Sequence, residues 1–380
     1  MKNRAAELRE LAVLFLRLGT TAFGGPAAHI AMMEREVVGR KGWLTREAFL
    51  DLLGATNLIP GPNSTEMAIH IGRLRAGWAG LLVAGACFIL PATLIVGAIA
   101  WAYATYGQLP RAAGLLYGVK PVVFAVVLQA LWRLGGTALK TPALAAVCAA
   151  GTALNLAGGG ELVLLFGAGA LLAAHRAAAA GGKGARPVVR LAGAAAPAAS
   201  GVVPFGLGPL FWFFAKVGSV LFGSGYVLLA FLRADLVERF QWISEAQLLD
   251  AIAVGQMTPG PVFTSATFIG YLLSGTAGAL AATAGIFLPG FLFVAASGPL
   301  IPFLRRRPAA GAFLDGVNAA SLALMAVVLL RLSGAAFVDV YSVALGIGAA
   351  VLLLRFGVGS TWLMTGGALA GIVIHQLRVL

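Results

Sequence analysis

The chain has 380 residues, of which 60% are hydrophobic and 11% charged, and its mean hydropathy is +0.92. That excludes a soluble globular domain, whose core has no use for so much apolar surface, and makes the bilayer the expected solvent. The net charge of +13 does not point to nucleic acid, because the basic residues are scattered through short loops between apolar runs, as in membrane loops.

In chain order, the first ten residues mix both signs of charge and lead into an apolar helix pattern with no cleavage site. They read as mature protein rather than a signal peptide. Apolar runs at 11–33, 78–106, 112–132, 142–157 and 162–174 each suit a crossing. Residues 48–71 hold Pro60-Gly61-Pro62, which breaks a helix because proline removes hydrogen bonds and glycine removes stiffness. Residues 177–203, rich in Ala and Gly with Lys183, Arg186 and Arg190, read as a linker. Runs at 210–232, 277–304, 313–330, 336–354 and 361–375 follow, and Pro259-Gly260-Pro261 interrupts 247–270. Cys87 and Cys148 lie in apolar runs, so neither a disulfide nor a metal site is expected.

The two interruptions belong to an internal repeat offset by 199 positions. Phe15, Gly19, Phe23 and Gly24 match Phe214, Gly218, Phe222 and Gly223, while Arg40, Trp43 and Asp51 match Arg239, Trp242 and Asp250. Further on the offset is 198, with Gly118-Val119 matching Gly316-Val317 and Arg133-Leu134 matching Arg331-Leu332. Ordered polar, proline and tryptophan matches separate this from chance similarity between Gly/Ala/Leu-rich helices. Equivalent loops differ in charge. Arg35, Arg40, Lys41 and Arg46 in 34–47 stand against Arg233 and Arg239. Arg73 and Arg75 in 72–77 stand against none, and Arg305-Arg306-Arg307 has a weakly charged mate at 107–111. Positive loops gather on one side of a membrane, so the alternation predicts an inverted repeat with an odd number of crossings per half.

The expected fold is an all-α integral membrane protein. It has two inverted repeats, 1–176 and 204–380, each of five transmembrane helices plus one re-entrant Pro-Gly-Pro hairpin. A hairpin arm of about a dozen residues spans roughly 18 Å, enough to reach the bilayer middle. The competing reading makes each broken segment a kinked full span, giving six crossings and a parallel repeat. It has difficulty placing both arginine clusters on one side. Ser244-Glu245-Ala246-Gln247 predicts a capping box for the second hairpin, and Thr45 an N-cap for the first.

The stretch Phe23-Gly24-Gly25-Pro26-Ala27-Ala28-His29-Ile30, then Trp43-Leu44, then Asn57-Leu58-Ile59-Pro60-Gly61-Pro62-Asn63-Ser64-Thr65-Glu66, resembles the chromate ion transporter family in its two-domain, long-chain branch. The resemblance covers nearly the whole chain, because the second half carries a degenerate copy, Phe222-Gly223-Ser224-Gly225 and Pro259-Gly260-Pro261. It implies a bacterial-type inner-membrane protein that exports chromate, driven by the proton-motive force or coupled to another oxyanion. Chromate against sulfate is left open.

Paired breaks in two halves are the usual sequence pointer to a transporter's binding site. Arg17 lies in an otherwise apolar helix with Lys216 as its mate, and intramembrane cations suggest function, although Arg17 could also snorkel to the interface. Helix starts after Gly61 and Gly260 offer N–H groups to an anion. Asn63, Ser64 and Thr65 add donors in the first hairpin, Thr264 and Ser265 in the second. Asn57 and Gln256, just before the breaks, suit either the anion or loop carbonyls. Gly24, Gly25 and Pro26, with Gly223, Ser224 and Gly225, suit close packing or unwound backbone donors. Glu66 and His70, one turn apart and mated to Ser265 and Ile269, suit proton coupling or an interfacial face paired with Arg73. Asp51 and Asp250 suit helix-start stabilisation, and Lys120 an anion contact or an anchor.

The expectation is a secondary active oxyanion transporter, the anion held between the hairpin tips and access alternating by rocking or gating between the halves. A passive anion channel on the same scaffold and a sulfate-type transporter stand beside it. An enzyme is not expected: His29, His70, His175 and His375 are dispersed, without a nucleophile or nucleotide motif. The expected partners are chromate or sulfate, a proton or counter-anion for coupling, and the lipid bilayer, with a homodimer left open. No cofactor and no nucleic acid are expected.

Overall fold

A computed structural model describes residues 4–107, 110–179, 204–222, 227–305 and 308–379, and among these every regular element is helical. The first half runs α1 (Arg4–Thr21), α2 (Gly25–Glu34) continued by a π-helical stretch (Arg35–Arg40), α3 (Arg46–Thr56), α4 (Asn63–Tyr106), α5 (Pro110–Ala138), α6 (Pro142–Leu156) and α7 (Glu161–Ala179). The second half runs α8 (Leu207–Val220), α9 (Leu228–Phe231) continued by a π-helical stretch (Leu232–Arg239), α10 (Glu245–Met257), a 3-10 turn (Val262–Thr264), α11 (Ser265–Arg305), α12 (Pro308–Ala336), α13 (Val340–Arg355) and α14 (Ser360–Val379). Of the expected linker, residues 177–179 close α7 and the rest lies outside the described residues. Helices α4, α5, α7, α11 and α12 are long and apolar enough to cross a membrane. Leu82, Leu94, Trp132, Leu292 and Trp362 stand on the outer surface, as lipid-facing side chains do. The chain is a multi-pass membrane protein.

Local chemistry sets the helix starts. Ser244 and Gln247 form the expected capping box on α10, and the Thr45 hydroxyl accepts the Ala48 N–H at 3.2 Å on α3. Helix α4 is two legs, because Ala76 and Gly77 leave helical geometry (Gly77 φ 64°, ψ −144°) and the chain doubles back. Ser274 and Gly275 repeat the turn in α11 (Gly275 φ 56°, ψ −147°). The legs meet at Gly72 against Gly80 and at Gly270 against Gly278, where a Cβ would overlap the facing carbonyl. These equivalences are 198 apart, whereas the Pro-Gly-Pro turns are 199 apart. The repeat therefore loses one residue inside the outgoing arm, and the counterpart of His70 is Phe268, not Ile269.

The run 11–33 is not one unbroken crossing. Helix α1 stops at Thr21, and Gly24 and Gly25 take φ of 103° and 76° where α2 begins. The two ends of this broken pair are tied together by Arg75. Its guanidinium lies 3.7 Å from Glu7 and 3.2 Å from Glu10 near the start of α1, and 5.0 Å over the ring of Trp43 just past the π-helical stretch. The second half matches this arrangement, with Phe205 before α8 meeting Trp242 at 5.3 Å. Residues 11–33 are thus a broken helix pair rather than one continuous helix.

The halves interleave. Helix α5 packs against α13 and α14 of the second half, and α12 packs against α6 and α7 of the first. Gly118 lies on Gly367 and Gly371, and its equivalent Gly316 lies on Ala168 and Gly169. The second legs of α4 and α11 also pack together. Gly85 meets Phe291, and Leu81 shares a buried cluster with Val294, so residue numbers rise along one leg as they fall along the other. The last two helices of each half are packed against the other half.

Gly118→Ala should unfold the protein at markedly lower temperature in detergent, at a cost above the ~1–3 kcal/mol of ordinary overpacking, because the new methyl meets rigid backbone. Gly136→Ala, also in α5 but with open space around it, should leave the midpoint unchanged or slightly raised.

Candidate functional site

The two Pro-Gly-Pro turns dock crosswise. The Gly61 N–H donates to the carbonyl of Leu221 at 2.6 Å, and the Gly260 N–H donates to the carbonyl of Ala22 at 2.9 Å. Ala22 and Leu221 are equivalent residues following α1 and α8. Each tip thus plugs the break in the other half's first helix, where freed backbone groups must find partners inside the protein. Positive φ at Gly61 (139°) and Gly260 (88°) lets the chain turn there. A third group joins the two tips. His29, 1% exposed, places Nε2 3.0 Å from the Ala22 carbonyl and Nδ1 3.3 Å from the Ser64 hydroxyl. Since a carbonyl only accepts, Nε2 carries the proton, and in the neutral ring Nδ1 accepts from Ser64. In the sequence His29 stands within a motif without an assigned role, and its mate is Leu228.

Around the first tip, buried polar atoms lack partners among the described residues. They are Asn63 Oδ1, Thr65 Oγ1, both carboxyl oxygens of Glu66 and His70 Nε2. Glu66 is 0% exposed, and its carboxyl lies over Gly61, with Gly290 of α11 near its side chain. Asn63 Nδ2 donates to Asn57 Oδ1 at 2.7 Å, bridging the two sides of the turn. Asn57 is exposed. Arg73 does not pair with Glu66 or His70. It donates to the Ala295 carbonyl at 3.0 Å and stacks on Trp78 at 4.0 Å. Native proteins leave few buried polar atoms unsatisfied, and a concentration of them marks a place where something else binds or moves.

The second tip differs. The Thr264 and Ser265 hydroxyls donate to the Pro261 and Val262 carbonyls at 2.8 and 2.9 Å. Expected as anion donors, they are spent on their own turn. Gln256 is buried and its Nε2 has no partner among the described residues. The N–H groups of Gly61 and Gly260, also expected as anion donors, are taken up by the crosswise bonds.

The expected cations are each paired with an acid. Arg17 lies 2.6 Å from Glu36, which Arg40 also reaches at 2.7 Å. The equivalent Lys216 pairs with Asp235, with Arg239 at 3.6 Å. These are two copies of one device, a cation–acid–cation set pinning a first helix to its π-helical stretch. Gly24 and Gly25 unwind rather than pack as a helical contact, with Pro26 opening α2. Gly223, Ser224 and Gly225 lie outside the described residues. Asp250 does not serve the start of α10. It is 2% exposed, accepts from the Tyr103 hydroxyl at 2.9 Å and lies 3.3 Å from Lys120, so this ion pair joins the second hairpin to α5.

Residues 9–174 and 208–372 each match the family model described as Chromate transporter. A chromate transport protein of Cupriavidus metallidurans is 34% identical over 97% of this chain and 94% of its own length. A probable chromate transport protein of Synechococcus elongatus is 30% identical over 93% of this chain and 91% of its own. A chromate transport protein of Pseudomonas aeruginosa is 33% identical over 83% and 79%. These relatives are named as transport proteins, not enzymes. No solved structure matches the chain.

The paired ion sets make a testable case. Lys216→Asp places two acids together and should lower the detergent unfolding midpoint. Adding Asp235→Lys should restore most of the loss, a coupling readable in a double-mutant cycle. Arg17→Ala, which leaves Glu36 with Arg40, should cost no more than about 1 kcal/mol and leave anion affinity within two-fold. Abolished anion binding in a folded Arg17→Ala protein would return Arg17 to the binding site.

Proposed function

The chain belongs to the chromate transporter family, and on that premise we propose that it is a secondary active transporter of chromate in a bacterial inner membrane. The resemblance implies export. The observation that carries the reading is the set of partnerless polar groups buried at the first Pro-Gly-Pro tip. An oxyanion sits there against the remaining Nδ2 hydrogen of Asn63, the Thr65 hydroxyl and the start of α4, whose first N–H groups, Ser64 among them, and dipole favour negative charge. His29 orients Ser64 and couples the site to the second tip through Ala22. Asn57 holds Asn63 in place and Gln256 supplies a spare amide from the second hairpin.

Glu66 and His70 serve coupling in this reading. They lie one turn apart on the arm that leaves the site, and no counter-charge or donor faces the Glu66 carboxyl among the described residues. A buried charge so placed costs several kcal/mol, so the resting carboxyl holds its proton and releases it when the tip moves. Access alternates by movement of the hairpin tips within the interleaved frame. The two halves are related by inversion, an assignment supported by the antiparallel α4 and α11 legs. The Pro-Gly-Pro segment of each half, α3 with the first leg of α4 and α10 with the first leg of α11, enters and leaves on one side.

The test is uptake of labelled chromate into proteoliposomes with and without an imposed pH gradient, with sulfate as competitor. Wild type should accumulate chromate saturably and faster with the gradient. Glu66→Gln, which keeps the shape and asks for no new partner charge, should stay folded and lose the gradient response at least ten-fold. Sulfate uptake without chromate uptake would keep the mechanism and change the substrate. Equilibration indifferent to the gradient would favour a passive channel and remove Glu66 from coupling.

A further inference from the structure

A cleft of about 880 Å³ opens between α1 and the π-helical stretch Arg35–Arg40. Its wall along α1 is apolar, formed by Ala5, Ala6, Val13 and Leu14, and Val13 is 61% exposed. Four cations line it, Arg9, Arg17, Arg40 and Lys41, against two carboxylates, Glu10 and Glu36. Both carboxylates are already engaged. Arg17 and Arg40 take the two oxygens of Glu36, and Arg75 takes Glu10. Lys41 lies 5.0 Å from the centre of the Trp43 ring, and neither it nor Arg9 has an acidic partner among the described residues. The cleft therefore carries excess positive charge beside an exposed apolar wall.

The second half contains an internal control. It keeps the same framework, with Lys216, Asp235 and Arg239 where the first half has Arg17, Glu36 and Arg40. Yet Ala6 becomes Phe205, Leu14 becomes Phe213 and Lys41 becomes Phe240, while Arg9 becomes Gly208. These rings join across the corresponding space. Phe213 meets Phe240 at 6.0 Å, Phe240 meets Trp242 at 4.8 Å, and Trp242 meets Phe205 at 5.3 Å. Where one half fills the gap with its own aromatic side chains, the other leaves it open and adds two cations that the shared ion set does not use.

We propose that this cleft binds an anionic phospholipid, its headgroup phosphate held by Arg9 and Lys41 and its glycerol and first methylenes laid along Ala5, Ala6 and Val13. Basic pockets beside membrane helices suit such headgroups. The apolar wall selects a lipid over a small free oxyanion, which would gain nothing from the surface that aromatic rings cover in the other half. The site is independent of the transport reading, since none of its residues lies at the Pro-Gly-Pro tips.

The experiment titrates delipidated, detergent-purified protein with short-chain phosphatidylglycerol or phosphatidylcholine, counting bound lipid by native mass spectrometry and following the thermal midpoint. Wild type should retain phosphatidylglycerol selectively and gain stability from it. Arg9→Ala and Lys41→Ala should each weaken retention about five-fold, as expected for one cation near an anionic surface. The double variant Ala6→Phe and Lys41→Phe copies two of the second half's rings and should abolish selective retention with the lipid-free midpoint kept. If it does not fold, the Arg9→Ala/Lys41→Ala double variant carries the test. Equal retention of phosphatidylcholine, or phosphatidylglycerol binding unchanged in these variants, would overturn the proposal. Displacement of the lipid by millimolar inorganic phosphate would also overturn it, in favour of a free-anion site.

Discussion

Backbone polar groups inside a bilayer must find partners within the protein, and this chain breaks its helices at four places where that demand is acute. Two breaks follow α1 and α8, and two are the Pro-Gly-Pro turns. The crosswise bonds from Gly61 to Leu221 and from Gly260 to Ala22 answer the demand by using one break to satisfy another. Neither half can complete its own centre. The exchange of outer helices, with α5 held by α13 and α14 and α12 held by α6 and α7, extends the same dependence outward.

Symmetry in the backbone makes asymmetry in the side chains informative. Features present twice, such as the Arg17–Glu36 and Lys216–Asp235 pairs or the glycine crossings at Gly72 and Gly270, serve the frame. Features present once, such as Glu66, His70, His29 and the open basic cleft, are candidates for chemistry. By this reasoning we propose the first tip as the working site; the second turns its hydroxyls to its own carbonyls.

Much of this was legible in the residues. The Pro-Gly-Pro pair, the 199 offset and the Ser244 capping box follow from local chemistry that acts within a few positions. The ion sets also leave a trace, since Glu36 and Asp235 are mates at the same offset as Arg17 and Lys216, but nothing local pairs a cation with an acid 19 positions on. Other features were not legible. That α1 and α2 fold back together depends on Arg75 reaching Glu10 and Trp43, a tertiary contact that hydropathy cannot register. Interleaving of the halves and the role of His29 between Ala22 and Ser64 likewise arise only when distant segments meet. The lost residue in the outgoing arm was hidden because helices tolerate a one-position shift until Gly77 and Gly275 fix the register.

The central claim is that the oxyanion engages the first tip while the second braces the frame. Hydrogen–deuterium exchange of the detergent-solubilised protein, with and without chromate, tests it most directly by comparing residues 57–66 with 256–265. The account predicts that chromate changes the exchange of 57–66 and leaves 256–265 close to its unliganded rate. Equal protection of both tips, or a change confined to the second, would contradict it.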